Sequence, residues 1–254
     1  ILPTATPFSR NAIFSGLLPD AFCQKYPKQI ETMSIDKGSL NQLEEEFLIG
    51  QLKRLGLDNK SLHYHKIWKV DEGQKFQSRI SQYIKYELLA IVVNFVDQLA
   101  HRRSESDVLK EMVPDEAGYR QAVKGWYKNS WIRAVLTELG SAGFKVVMTS
   151  DHGSKMVNRS TMVAADKYSS TGIRYKHGRN INASQKSAID IRELNSYHLP
   201  ALGHHINYLL AKDDYYFLYP NEQRKYKNML KGSFQHGGIS MEEMMVPVLI
   251  MDPK

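Results

Sequence analysis

The sequence has little cysteine and no long apolar run, and both shortages limit what the protein can be. Cys23 is the only cysteine in 254 residues, so no disulfide can form within the chain, which suits a reducing cytoplasm. No run of 18 residues is both apolar and free of charge, and the first residues lack the basic and apolar regions of a signal peptide. We therefore expect a soluble, cytoplasmic protein that does not insert into a membrane.

The composition favours a folded domain that meets anionic partners. With 42% hydrophobic and 10% aromatic residues, the chain can bury one large α/β core. A net charge of +7 favours phosphorylated partners such as nucleotides. Charge alone is weak evidence, because a solvated basic surface explains scattered lysines and arginines equally well.

Apolar runs rich in β-branched residues predict the main strands. The strongest run, 88–96, predicts a strand buried on both faces that ends at Asp97, and a second run, 144–149, ends before Asp151. The other predicted helices cover 9–17 with Ser9 as N-cap, a segment introduced by Ser39 and Gln42, and 115–142. Irregular strands and surface loops are predicted over 156–220, and a last strand over 245–251, where Pro247 indicates an edge position or a bulge. Strands that alternate with helices predict a mostly parallel sheet.

Polar residues follow the two buried strands, where ligands bind in open α/β sheets. Asp97 and His101 are four residues apart, so a turn of helix would bring both to one face. Asp151 and His152 are adjacent, and Gly153 permits a sharp turn beside a ligand. Each aspartate has a simpler explanation as a helix cap or a turn residue. Two such strand-end pairs in one chain favour a metal site.

A third histidine, His236, lies beside Gly237 and Gly238. Carboxylate oxygen and imidazole nitrogen suit zinc or a similar divalent metal, and two aspartates with three histidines nearly supply two ions. Two divalent ions can clamp a phosphoryl group and activate a nearby serine or threonine hydroxyl. The pattern therefore predicts phosphoryl chemistry.

Four motifs resemble, in order, those of alkaline-phosphatase-superfamily enzymes: Pro3-Thr4-Ala5-Thr6-Pro7, Asp97-x-x-x-His101, Thr149-Ser150-Asp151-His152-Gly153 and His236-Gly237-Gly238-Ile239-Ser240-x-Glu242-Glu243-Met244-x-Val246-Pro247. The last motif is especially close to PglZ domains, and residues 2–16 look most like PorX-type response regulators of type IX secretion. The resemblance covers nearly the whole chain. It implies an α/β, alkaline-phosphatase-like three-layer sandwich with a mostly parallel central sheet and helices on both faces. It also implies one PglZ domain over 1–254 that lacks its first strand, and an upstream receiver domain that this sequence does not contain.

The resemblance also implies roles for individual residues. Thr6 looks like the metal-bound nucleophile, and Asn11 looks like the asparagine that helps hold the phosphoryl oxygens. The implied ligands are Asp97, His101 and His236 for one metal, and Asp151, His152 and the Thr6 oxygen for the other. A further ligand, normally an aspartate at the end of the first strand, is absent, and we attribute the gap to missing N-terminal sequence. Thr4 is a competing nucleophile by chemistry, but the family pattern places the reactive residue immediately before the helix.

A basic, aromatic segment over 173–180 supplies candidate substrate contacts. Arg174, His177 and Arg179 suit phosphate binding and base stacking. Lys155 is a further candidate because it follows the Asp151 motif. A solvated hairpin would explain the segment equally well.

The sequence therefore predicts a zinc-dependent phosphodiesterase or phosphatase with two metal ions and a threonine nucleophile. The resemblance and the basic charge favour short linear or cyclic oligonucleotides as substrates, in a response regulator of type IX secretion. The alternative is a signalling module in which a receiver domain controls a homodimer and the metal domain binds secretion or transcription partners. A sulfatase or phosphomutase would share the metal-site plan, but Thr6-Pro7-Phe8-Ser9-Arg10 lacks the Cys/Ser-x-Pro-x-Arg sulfatase motif.

Overall fold

The computed structural model describes residues 1–29, 41–164, 170, 172–220 and 223–253. The chain divides into two compact units, which we describe separately. Unit 1 consists of Ile1–Leu55 and Asp151–Val246, and unit 2 of Gly56–Ser150 and Pro247–Lys254. Among the described residues, no helix combines the length and the apolar character that crossing a bilayer requires.

The regular elements are numbered in chain order. The α-helices are α1 (Thr6–Ser15), α2 (Pro19–Lys25), α3 (Glu44–Arg54), α4 (Val70–Ser78), α5 (Ile80–Tyr83), α6 (Phe95–Arg103), α7 (Asp107–Met112), α8 (Glu116–Asn129), α9 (Trp131–Ser141), α10 (Gln223–Leu230) and α11 (Met241–Met244). The strands are β1 (Leu62–Ile67), β2 (Leu88–Val93), β3 (Val146–Thr149), β4 (Lys155–Met156), β5 (Arg159–Met162), β6 (Tyr175–Arg179), β7 (Ala188–Ile191), β8 (Ile206–Ala211), β9 (Tyr215–Leu218), β10 (Phe234–Gln235) and β11 (Val248–Met251). Short 3₁₀ turns cover Pro27–Gln29 and Leu194–Tyr197.

The core of unit 1 is built on β8, which pairs antiparallel with β6 on one side and β7 on the other. Successive side chains of a strand point to opposite faces. Tyr208 and Leu210 accordingly pack in one hydrophobic cluster with Phe8, while Leu209 packs in another with Phe217. Both faces of β8 are thus buried. The strands predicted over 156–220 are present, but the predicted surface location is wrong, because this region supplies the buried central strand.

Helix α1 packs against this sheet and starts earlier than predicted. The Phe8 ring meets the Tyr175 ring edge-on, with centroids 5.8 Å apart. The N-cap is Ala5, whose backbone is extended, and a proline occupies the first turn, where its missing N–H costs nothing. Ser9 is therefore inside the helix and is not its N-cap. Ser39 lies outside the described residues.

Unit 2 is held together by helices packed on two small sheets. Strands β1 and β2 pair in parallel, and β3 pairs antiparallel with β11. Phe76, Trp131 and Val135 are among its buried core residues. Strand β2 is mostly half-buried and ends before α6, so the strand predicted over 88–96 is too long and its burial was overestimated. The helix predicted over 115–142 is two helices, because Ser130 between them has an extended backbone.

The α/β class is confirmed, but the predicted mostly parallel central sheet is not. Within the described part of the chain the ladders are short, and the parallel ones are β1–β2 and β5–β9. The β3–β11, β4–β10 and β6–β8–β7 ladders are antiparallel. Parallel neighbours usually need a helical crossover. The described residues between β6 and β9 contain no α-helix, so the strands there pair antiparallel.

Candidate active site

The contact between Thr6 and His152 is the centre of the candidate site in unit 1. Thr6 begins α1, and its Oγ1 lies 2.9 Å from Nε2 of the buried His152. The other ring nitrogen, Nδ1, lies 2.9 Å from the Gly153 carbonyl oxygen. A carbonyl only accepts, so this contact assigns the proton to Nδ1 and the lone pair to Nε2. The Thr6 hydroxyl therefore donates to Nε2, and His152 presents a lone pair that suits a metal ion.

A backbone contact at Gly153 fixes the turn that carries Asp151 and His152. The Gly153 N–H donates to the Glu243 carbonyl oxygen at 3.0 Å. A Cβ at position 153 would lie 1.9 Å from the carbonyl oxygen of Glu242. Glycine is needed here because another backbone segment approaches closely, which is a different reason from the sharp turn that the sequence suggested.

His236 lies beside His152 in unit 1. The two imidazole rings are stacked, with centroids 4.0 Å apart and planes inclined by 18°. The following residue, Gly237, has a φ of 112°, which favours glycine. The structure thus brings Thr6, Asp151, His152 and His236 into one region.

Thr4 has a different environment from Thr6. Its Oγ1 donates to the Gly238 carbonyl oxygen at 2.6 Å and accepts from the Gly237 N–H at 3.1 Å. Both contacts are buried, so this hydroxyl holds the glycine turn in place. The Thr4 hydroxyl is thus occupied by backbone partners, whereas the Thr6 hydroxyl contacts an imidazole.

A buried ion pair holds the segment after His236. Arg174 and Glu243 are fully buried, and two bonds of 2.6 Å join the guanidinium to the carboxylate. The same carboxylate accepts from the Gly238 and Ser240 N–H groups at 2.9 and 3.0 Å. Arg174 also donates to the carbonyls of Asp213 and Tyr215.

This ion pair gives Arg174 a role that the sequence prediction did not anticipate. The Arg174 side chain lies away from solvent and is occupied by protein acceptors, so we leave it out of the proposed substrate site. Sequence reasoning also missed Glu243. Its position three residues after Ser240 is a capping-box spacing that could have identified a structural carboxylate.

The other predicted substrate contacts have different settings. His177 on β6 is buried, and burial, together with the charge of Lys176, lowers its pKa to about 4. Arg179 is exposed at the end of β6. Lys155 forms an ion pair with Glu242. Asn11 is buried in α1, and its Oδ1 has no hydrogen-bond partner among the described residues. Substrate contact by His177, Arg179, Lys155 or Asn11 stays a prediction.

Arg10 is a residue of this region that sequence reasoning missed. Its Nε donates to Asp151 Oδ2 at 3.0 Å, and its terminal nitrogen lies 3.7 Å from Glu44 Oε1. The same Asp151 oxygen is 3.7 Å from His152 Nε2. Arg10 follows Thr6 by four residues, so the helical period already places both on one face of α1.

In unit 2, Asp97 and His101 lie on α6 as predicted for one face of a helix. His101 Nε2 is 3.3 Å from Asp97 Oδ1. The hydrogen bond with Asp97 raises the pKa of His101, against the opposing effect of burial. A carboxylate and an imidazole are thus paired on α6.

The donor atoms of unit 1 fit a divalent metal ion. Two atoms that each lie about 2.0–2.1 Å from one tetrahedral zinc ion are themselves about 3.3 Å apart. Thr6 Oγ1 and His152 Nε2 are 2.9 Å apart, so a small outward shift of either side chain would let both atoms bind one ion. The Asp151 carboxylate adds a charged oxygen donor close by. Thr6, Asp151 and His152 therefore have the chemistry for a shared ion, with His152 close to both of the others.

Comparisons with known proteins identify the family. Residues 1–251 match the family described as "BREX system PglZ alkaline phosphatase-like domain". The chain belongs to this family, and thereby to the alkaline-phosphatase-like hydrolases, whose members use divalent metals.

The chain is also similar to a solved structure, phosphonoacetate hydrolase from Sinorhizobium meliloti 1021 in complex with phosphonoformate. The sequence identity is 12% and the TM-score is 0.43, over 72% of this chain and 50% of that one. The chain thus spans about half the length of that hydrolase. No curated protein matches the sequence.

Proposed function

We propose that this protein is a metal-dependent phosphoesterase that uses Thr6 as its nucleophile. The observation that carries the proposal is the 2.9 Å contact between Thr6 Oγ1 and the lone-pair nitrogen of His152. A threonine that only capped a helix would not need an imidazole held in this tautomer. Membership of a hydrolase superfamily supports the same reaction class.

The surroundings of Thr6 favour attack on phosphorus. Its position at the start of α1 exposes it to the partial positive charge of the helix N-terminus, which stabilises an alkoxide and phosphate oxygens. Its hydroxyl proton points to His152. A divalent metal held by Thr6, Asp151 and His152 would lower the pKa of the hydroxyl and neutralise charge on the phosphoryl group. Thr6 would lose its hydroxyl proton to solvent as the ion binds its oxygen, Oγ1 would bond to phosphorus while the bond to the leaving oxygen breaks, and water would later cleave the phosphothreonine.

The finer parts of the proposal rest on sequence. The mixed oxygen and nitrogen donors support zinc, and the net charge of +7 supports phosphodiesters such as short oligonucleotides. Asp97, His101 and His236 stay proposed metal ligands on the sequence resemblance. A place in a type IX secretion response regulator, with a receiver domain that controls dimerisation, rests on the resemblance of residues 2–16.

The test is hydrolysis of a model phosphodiester and a model phosphomonoester by the zinc-loaded protein. Thr6→Val removes the nucleophile and should lower kcat by about 10⁴-fold or more. Thr6→Ser keeps a hydroxyl at the same position and should retain part of the activity. A chelated sample should be inactive.

Thr4→Val is the matched control for the nucleophile. It removes two buried hydrogen bonds, so we expect a loss of about 1–3 kcal/mol in the free energy of unfolding. Below its melting temperature the variant should still turn over substrate. Full activity in Thr6→Val, or a loss of turnover in folded Thr4→Val alone, would contradict the assignment.

A further inference from the structure

Arg10 stands between two carboxylates with different surroundings. Its Nε donates to Asp151 Oδ2 at 3.0 Å, while its terminal nitrogen lies 3.7 Å from Glu44 Oε1. The three side chains are almost inaccessible to solvent, at 10% for Arg10, 13% for Asp151 and 0% for Glu44. A guanidinium in this setting needs compensating charge, because an unpaired buried cation is costly.

The formal charges of the trio leave Asp151 able to attract a cation. Glu44 offsets the positive charge of Arg10, so the negative charge of Asp151 is not cancelled within the group. Arg10 can therefore orient the carboxylate without removing its attraction for a metal ion. Carboxylates that bind metals are commonly held by such outer hydrogen bonds.

Helix α1 places Arg10 on the same face as Thr6, where its side chain contacts Asp151. Thr6 and Arg10 are four residues apart on α1 and so share a face. Thr6 contacts His152, and Arg10 contacts Asp151, the preceding residue of the same turn. One face of α1 therefore binds both side chains of the Asp151-His152 turn.

We propose that Arg10 is a positioning residue that fixes the Asp151 carboxylate for metal binding, with Glu44 as its counter-charge. This inference rests on the proposed function, since it assumes that Asp151 and His152 hold an ion. Arg10 is poorly placed to clamp a substrate phosphate itself, because its side chain is buried and pairs with both carboxylates.

The experiment measures zinc affinity, by competition with a chromophoric chelator, and the visible spectrum of the cobalt-substituted protein. Arg10→Gln should bind zinc about 10–100-fold more weakly and shift the cobalt spectrum. Arg10→Lys keeps the charge without the Nε donor and should fall between Arg10→Gln and the wild type. Arg192→Gln, which breaks the exposed pair with Asp190, should change neither readout.

A second variant keeps the test valid if Arg10→Gln does not fold. The double variant Arg10→Gln with Glu44→Gln removes the Arg10 and Glu44 charges together, so Glu44 is not left as an unpaired buried ion, and it should also bind zinc at least about tenfold more weakly. Wild-type affinity and an unchanged cobalt spectrum in the folded single or double variant would overturn the positioning role. Wild-type protein that binds no zinc would instead overturn the proposed function.

Discussion

The two Asp/His motifs of this chain are similar in sequence but differ in how the structure holds them. In unit 1, the side chains of Asp151 and His152 are 13% and 6% exposed, and their contacts with Arg10 and Thr6 join residues distant in sequence. In unit 2, the side chains of Asp97 and His101 are 34% and 45% exposed and pair along one helix.

The difference shows that local and distant interactions produce different kinds of site. A helix of ordinary geometry is enough to bring Asp97 to His101, because residues four apart are neighbours on its surface. The Thr6 contact with His152, the close approach of Glu242 to Gly153 and the Arg10 contact with Asp151 each need segments that the fold brings together. The unit 1 motif should therefore be the one that is sensitive to changes elsewhere in the chain.

The largest expected effect that tests this contrast comes from Glu243→Gln. The change leaves Arg174 charged and buried without its partner, which should lower the free energy of unfolding by about 3–5 kcal/mol. It also weakens the contacts to Gly238 and Ser240 that hold the His236 segment. Urea unfolding measures the loss, and histidine ring signals in NMR spectra should shift for His152 but not for His101.

Glu242→Gln is the neighbouring control. Glu242 pairs with Lys155 and is 44% exposed, so its removal should cost about 0–1 kcal/mol. Equal losses for the two variants would show that the buried pair does not hold the motif. If the NMR ring signals of His101 shifted more than those of His152 in Glu243→Gln, the unit 2 motif would be the more sensitive one, contrary to the expectation.

The next effect is a loss of stability in acid. Burial holds the pKa of His177 at about 4, while an unfolded histidine has an ordinary value near 6.5. The unfolded chain therefore binds the proton first, and stability is lost as pH falls from about 6.5 through 4, by up to about 3 kcal/mol. His177→Gln should flatten this part of the stability profile. An equally steep profile in His177→Gln would disprove the explanation.

The smallest effect is expected from Gly153→Ala. The new Cβ would clash with the Glu242 carbonyl oxygen, so the turn must shift, at a cost of about 1–3 kcal/mol. Gly125→Ala on α8 is the matched control, since nothing lies within 4 Å of its added Cβ. That change should stabilise the protein by about 0.5–1 kcal/mol. A Gly153→Ala variant as stable as the wild type, with unchanged zinc affinity, would show that the close approach of the Glu242 backbone does not constrain the turn at Gly153.

The sequence predicted those parts of the site that depend on local spacing. Asp97 with His101, and Asp151 with His152, could be read from strand ends, helical period and a following glycine. In the sequence, only the family pattern distinguishes Thr6 from Thr4 as the candidate nucleophile. In the structure, the two hydroxyls also differ in their hydrogen-bond partners. The start of α1 was misplaced because Ser9 looks like an N-cap, although Pro7 already fits the first turn.

What the sequence could not predict depends on contacts across long stretches of chain. The pairing of Arg174 with Glu243 joins residues 69 positions apart, and nothing local distinguishes this arginine from one that binds substrate. The central strand β8 was missed because its surrounding segment is rich in polar residues, while its apolar side chains are buried only after β6 and β7 pair with it. Arg10 was missed because its partners, Glu44 and Asp151, lie in other segments.

The central claim is that Thr6 attacks phosphorus, and the stereochemical course of hydrolysis tests it most directly. The zinc-loaded protein would act on a phosphorothioate diester of known chirality in isotopically labelled water. A covalent phosphothreonine requires two successive in-line displacements, so the account predicts net retention of configuration at phosphorus. Inversion would mean direct attack by water and would contradict the role of Thr6, as would the absence of turnover.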